Sequence, residues 1–332
     1  MITAWQNTKK LIQNQKPSME FNGNNLSQWQ KDAKSKLCEL IGYGKFTKVA
    51  PETEVEYTQK IEGATEIRFT FASEDGYRVP CHLLLPDGVA NPPVMICLQG
   101  HCTGMHISLA RPKYPGDEND IKDGDRDFCI RAVKEGWAAV ALEQRNFGEC
   151  GETKGDPRCY ESAMTALLMG RTTIGERVWD VARLIDVLES DFSDKVDVNT
   201  IGCMGNSGGG TATAYIAALE DRVKIAVPSC AMCTYKDSIG AMYHCSCNYV
   251  PHIAEYFDMG DLMAMAYPKF FIQVSGKEDN IFPIDAAKEV FSHGKSAYES
   301  MGDADKCAMV EGNGGHRFYA EPAWKLIHGF IK

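Results

Sequence analysis

No apolar run in the 332-residue sequence approaches the length needed to cross a membrane, and no cluster of lysine and arginine marks a face for phosphates. The first absence argues against an integral membrane protein. The second, with a formal net charge of −10, argues against nucleic acid and against polybasic attachment to a bilayer. The N-terminus, Met1-Ile2-Thr3-Ala4-Trp5-Gln6-Asn7, lacks the charged start and apolar stretch of a secretion signal, so the chain reads as cytoplasmic. Internal repeats and low-complexity linkers are missing too, which favours one main domain. Material for a core is ample, with 44% hydrophobic residues. The 13 cysteines are odd in number and scattered through apolar positions such as Cys97, Cys129 and Cys203, the pattern of reduced buried thiols.

Along the chain, residues 1–60 are polar and helical in flavour, with Trp29, Leu37 and Leu40-Ile41 as docking positions for an N-terminal extension packed on the domain 61–332. Glu66-Ile67-Arg68-Phe69-Thr70-Phe71 alternates like a half-exposed strand, Glu74-Asp75-Gly76-Tyr77 turns, and Val79 to Leu85 returns as its hairpin partner. Short apolar strands then alternate with helical segments: strands at 94–98, 137–142, 201–204, 224–227, 270–274 and 307–310, helices near 126–135, 173–188, 283–298 and 322–331. That alternation predicts an α/β fold, a mainly parallel central sheet with helices on both faces.

One segment carries chemistry. Gly205-Asn206-Ser207-Gly208-Gly209 follows the apolar run Ile201-Gly202-Cys203-Met204 and precedes a small-residue helix from Thr211 to Leu219. Strand, sharp turn and helix in that order form a nucleophile elbow, with glycines where side chains would collide and the serine hydroxyl at the tip. A serine needs an imidazole to take its proton and a carboxylate to steady the imidazolium. In folds with such an elbow these follow in the order serine, acid, histidine, each at the carboxyl end of a later strand. After the strand Phe270 to Val274 comes Ser275-Gly276-Lys277-Glu278-Asp279-Asn280, which points to Asp279 as the acid with Glu278 as its rival. Of the three later histidines, His293 and His328 fall in helices, and His316 follows a glycine-rich loop just after a strand, so His316 is the expected base. Two backbone N–H groups must hold an oxyanion. Gly208 supplies one; His101, in the loop Gln99-Gly100-His101-Cys102 after the strand 94–98, is the candidate for the other.

These residues resemble the bacterial α/β-hydrolases of the acetyl xylan esterase and dienelactone hydrolase-like group. The resemblance runs from about residue 60 to the end and rests on Leu98-Gln99-Gly100-His101, Glu143 to Gly148, Arg171 to Asp180, Ile201 to Gly210, Gly276 to Pro283 and Gly314 to Phe318. It implies the α/β-hydrolase fold, a triad on Ser207, Asp279 and His316, and hydrolysis of a short acyl ester, acetyl on a carbohydrate, without metal or organic cofactor. Gln99 stands where many relatives carry histidine and Asn146 where they carry glycine. A serine peptidase or a lactone hydrolase would use the same triad, and a silent binding protein is the non-enzyme alternative.

Gln99, His106, Arg145, Tyr243, His244 and Tyr249 are the further candidates for binding a small-molecule ester. The last three lie in a stretch, 229–267, rich in Met, Tyr, Cys and His, read as an insertion that either walls the pocket or serves packing and homo-oligomer contacts. Cys230-x-x-Cys233 and Cys245-x-Cys247 beside His244 invite a metal reading; the second spacing is short for a zinc knuckle, and core or pocket thiols are expected, with no metal.

Overall fold

The computed structural model describes residues 1–331. Its strands are β1 (Glu54–Ile61), β2 (Ala64–Glu74), β3 (Tyr77–Pro86), β4 (Pro93–Leu98), β5 (Ala138–Leu142), β6 (Asp197–Asn206), β7 (Val223–Ser229), β8 (Phe270–Gly276) and β9 (Cys307–Gly312). They join in one sheet in the order β1-β2-β3-β5-β4-β6-β7-β8-β9. β1, β2, β3 and β5 pair antiparallel, and from β5 to β9 every pairing is parallel. The mainly parallel sheet expected from the alternating segments is present.

The helices are α1 (Ala4–Gln13), α2 (Leu26–Leu40), α3 (Asp117–Lys122), α4 (Phe128–Lys134), α5 (Tyr160–Leu168), α6 (Thr173–Asp191), α7 (Gly208–Leu219), α8 (Ile253–Tyr256), α9 (Met259–Ala266), α10 (Ile284–Ser300) and α11 (Ala320–Phe330). They bury both faces of the sheet, as β4 illustrates. Val94, Ile96 and Leu98 join the core that holds residues of α6, α7 and α9, whereas Met95 and Cys97 join Phe128, Trp137, Trp324 and Ile327 on the opposite face. Burying a large aliphatic side chain contributes roughly 1.5–3 kcal/mol. Filling both faces is what lets so short a strand sit mid-sheet. Among the described residues, no helix is long and apolar enough to cross a membrane.

Three details depart from the sequence reading. The sheet opens with three antiparallel strands, not two: β1, almost wholly exposed, is an edge strand whose charged sequence EVEYTQK hides its identity while discouraging pairing with another chain. The boundary expected at residue 60 therefore falls inside a strand. β2 is buried on both faces, because its polar side is covered: Glu66, fully buried, is bound by Arg111 at 2.7 Å and His82 at 2.6 Å.

The stretch 229–267 divides in two. Its end, α9, is buried along its whole length and packs between α7 and α10 as an ordinary crossover helix. Only about 230–257, apart from the short α8, is irregular, and the N-terminal segment docks on both parts. Ile12 meets Gly240, Ser18 and Met19 bond to the carbonyls of Glu255 and Tyr256, and the Gln30 amide of α2 donates to the carbonyls of Ala264, Met265 and Tyr267.

Candidate active site

The elbow is built by close backbone approach. β6 ends at Asn206, α7 begins at Gly208, and Ser207 between them has φ 55° and ψ −121°. A non-glycine residue held there costs on the order of 1–3 kcal/mol, which the surrounding packing must offset. A Cβ on Gly205 would stand 2.5 Å from the Leu98 carbonyl, and one on Gly209 would stand 2.1 Å from the same oxygen, so neither position accepts a side chain. The Ser207 N–H donates to the Ser229 carbonyl at 2.9 Å, tying the turn to the end of β7.

Two loops on one side meet each other. The turn after β8 buries Asp279, whose Oδ1 accepts the N–H groups of Ile281 at 2.9 Å and Phe282 at 3.1 Å. Its Oδ2 lies 2.8 Å from His316 Nδ1, in the loop after β9. With Nδ1–H donating to the carboxylate, the His316 Nε2 lone pair stays available. Burial by itself would raise the Asp279 pKa; the hydrogen bond and charge of His316 outweigh it and hold the carboxyl below its usual range. Phe282 stacks nearly parallel on the imidazole at 5.8 Å. Glu278 is exposed, and His293 and His328 pair elsewhere, with Asp261 and Glu135.

Across the elbow, the loop after β4 presses on it. A Cβ on Gly100 would stand 2.7 Å from the Asn206 carbonyl, and the His101 ring lies so close to Gly208 that a Cβ there would be 2.7 Å from its Cε1. Beneath the loop, buried Glu143 accepts from the Gln99 amide, from Met105 N–H at 3.0 Å and from Glu149 N–H at 3.2 Å. Burial raises its pKa to about 7.

A family model described as the Abhydrolase family matches residues 2–169, just over half of the sequence. The chain belongs to the Abhydrolase family. The match includes α1 and α2, so these helices are part of the family pattern, and it ends before Ser207. YtaP of Bacillus subtilis (strain 168), whose name assigns it to the hydrolases, is 24% identical over 192 residues, which take in 57% of this chain and 62% of YtaP. Solved structures share the fold. One from Bacteroides fragilis NCTC 9343, named for an acetyl xylan esterase, superposes with TM-score 0.76 at 15% identity over 97% of this chain and 84% of that one. A glucuronoyl esterase from Solibacter usitatus gives 0.69 at 13% identity, over 96% and 98%. Acetyl xylan esterase 1 from Thermoanaerobacterium sp. JW/SL YS485 gives 0.59 at 15% identity, over the full length of both chains.

In this member of the Abhydrolase family several side chains expected to meet substrate are engaged inside the protein. Gln99 is buried against Glu143. His106 is buried and bound to Asp117 at 3.0 Å and Thr103 at 2.9 Å. Arg145 lies over the Tyr77 ring and is held by Asp180 at 2.8 Å and Glu74 at 2.6 Å. These contacts suit all three to holding the scaffold, although the buried Gln99 Oε1 has no hydrogen-bond partner. His244 is also buried and has a partner in Ser238 Oγ at 3.2 Å; it packs edge-on to Phe282, and burial, then the neighbouring His101 and His316, depress its pKa to about 4, leaving it neutral. Together with Tyr160, Met164, exposed Tyr243 and Tyr249, it lines a cleft of 570 Å³.

The cysteines are all free. Cys97, Cys129 and Cys203 lie in the core as expected, and Cys230 neighbours Asp279, its thiol pushed up to about 12 by burial and that carboxylate. Cys245 and Cys247 do not join Cys230 and Cys233. They converge instead with His101 and with Cys159, just before α5, a residue for which the sequence offers no local signal.

Proposed function

We propose that the chain is a serine carboxylic-ester hydrolase acting on an acylated carbohydrate, with an acetyl group as the leading acyl class. The observation that carries this reading is the 2.8 Å contact of Asp279 with His316, from two strand-end loops flanking a strained serine elbow. Ser207 Oγ attacks the ester carbonyl while His316 Nε2 takes its proton and Asp279 stabilises the imidazolium. The N–H groups of Gly208 and His101 hold the tetrahedral oxyanion, each such donor being worth about 2.7–4 kcal/mol in comparable sites. The intermediate collapses as His316 returns the proton to the departing alcohol. A water that gives a proton to the same nitrogen attacks the acyl-enzyme, releasing the acid and restoring Ser207. The cleft beside His244 is the proposed entry for the sugar.

The carbohydrate assignment leans on the names of the structural relatives. Wild type and Ser207→Ala are to be compared on p-nitrophenyl acetate, butyrate and octanoate, on acetylated xylo-oligosaccharide and on an alkyl glucuronate. The expected outcome is acetate release from the sugar, activity falling with acyl length, and a loss on the order of 10⁶-fold in kcat for Ser207→Ala. Cleavage of the glucuronate alone would move the ester to the sugar's own carboxyl group. Activity unaffected by Ser207→Ala would sink the mechanism.

A further inference from the structure

Four metal-ligating atoms converge beside the elbow. The imidazole of His101 and the sulfurs of Cys159, Cys245 and Cys247 each offer an atom, all within 4.8 Å of one another, with His101 Nε2 3.1 Å from Cys247 Sγ. A tetrahedral zinc ion, with Zn–S near 2.3 Å and Zn–N near 2.0 Å, spaces its ligand atoms roughly 3.5–3.8 Å apart. The cluster is already at that scale. Cys245-x-Cys247 is a short spacing for one metal, but the remaining two ligands arrive from 86 and 144 residues away from Cys245, counting from Cys159 and His101.

Arg177 supplies an independent reason. It is almost completely buried beside Cys247, Cys159 and Cys245, with its guanidinium over the Phe147 ring at 4.4 Å. Nη2 reaches the Arg145 carbonyl, but Nε and Nη1 have no hydrogen-bond partner. A buried cation without an anion is unfavourable by several kcal/mol. Neutral thiols do not balance it, whereas three thiolates and a neutral imidazole on Zn²⁺ carry a net charge of −1.

We propose that His101, Cys159, Cys245 and Cys247 bind one zinc ion as a closed structural site balanced by Arg177. Binding releases the three thiol protons to solvent and fixes the proton of His101 on Nδ1, the nitrogen that faces Gly208. Four protein ligands leave no position for a reacting water, so the metal holds structure and does not enter ester hydrolysis. It would clamp three segments together: the loop after β4, the start of α5 and the turn 245–247. This proposal departs from the expectation that these thiols serve only as core or pocket lining.

The test is metal content, a readout independent of Ser207. Untagged protein grown in zinc-supplemented medium and desalted over chelating resin is expected to retain near-stoichiometric zinc, as is Ser207→Ala. Zinc should fall to background in Cys159→Ser/Cys247→Ser and persist in Cys38→Ser. Should the double variant not fold, wild type stripped with dipicolinate and refilled with Co²⁺ must show the thiolate-to-cobalt charge-transfer absorption and the strong visible bands of a tetrahedral site. Wild type that neither retains zinc nor binds cobalt overturns the proposal. So does zinc retained by the folded double variant, or a disulfide among these cysteines in the native protein.

Discussion

On the β8–β9 side of Ser207, one carboxylate meets one imidazole, and the second nitrogen of that imidazole has no protein partner among the described residues. On the β4–β5 side, Arg145 is engaged on every side: Asp180 takes two of its nitrogens, Glu74 a third contact, Glu176 lies 3.7 Å from Nη1, Tyr77 covers its face, and Asp180 is further bound by Ser73. Both are built on a buried carboxylate. The difference is that a group which must exchange a proton has to keep one atom unsatisfied, while a group that only holds the scaffold is best when every atom is paired.

The sharpest way to test that contrast is to damage each side. Asp279→Asn keeps the shape but favours the wrong imidazole tautomer, and kcat on p-nitrophenyl acetate is expected to fall on the order of 10⁴-fold with little change in the urea midpoint. A loss under about tenfold would break the comparison, making the pair structural. Arg145→Ala should do the reverse. It leaves Asp180 buried without its cation, while Glu74 keeps Arg171 at 2.8 Å, and the expected loss is about 3–5 kcal/mol in urea unfolding.

A smaller effect is expected beneath the loop after β4. Burial raises the Glu143 pKa from 4.5 to about 7. The unfolded carboxyl therefore gives up its proton at lower pH than the folded one, the folded state binds more protons between those values, and stability contributed here declines as pH rises through that window. Glu143→Gln should flatten this part of the pH–stability curve. An unchanged difference between variant and wild type from pH 4.5 to 7 would show that Glu143 is ionised throughout.

The better-connected side is also the one that the sequence conceals. Gly205, Gly209 and the turn after β8 are visible in the sequence because local backbone geometry demands those residues, and His316 stands out by its glycine loop. Gln99, His106 and Arg145 look like substrate ligands because a polar side chain after a strand reads the same whether it faces solvent or a buried partner. What separates them is Glu143, Asp117 and Asp180, partners that lie 44, 11 and 35 residues away in the sequence. Cys159 and Arg177 carry no local signal at all. The same reason hid the covering of β2, whose Glu66 meets Arg111 from a distant loop.

The seating of the N-terminal segment on 235–267 has a consequence in time. Lys9 and its carbonyl partner Ala241 are 232 residues apart, a stretch that takes roughly 10–50 s to synthesise at 5–20 residues per second. Until then the part of the surface supplied by 235–267 is missing, so Ile12, Met19 and Phe21, made well before it, are among the last residues that can settle. On a ribosome this segment waits for the chain that follows it.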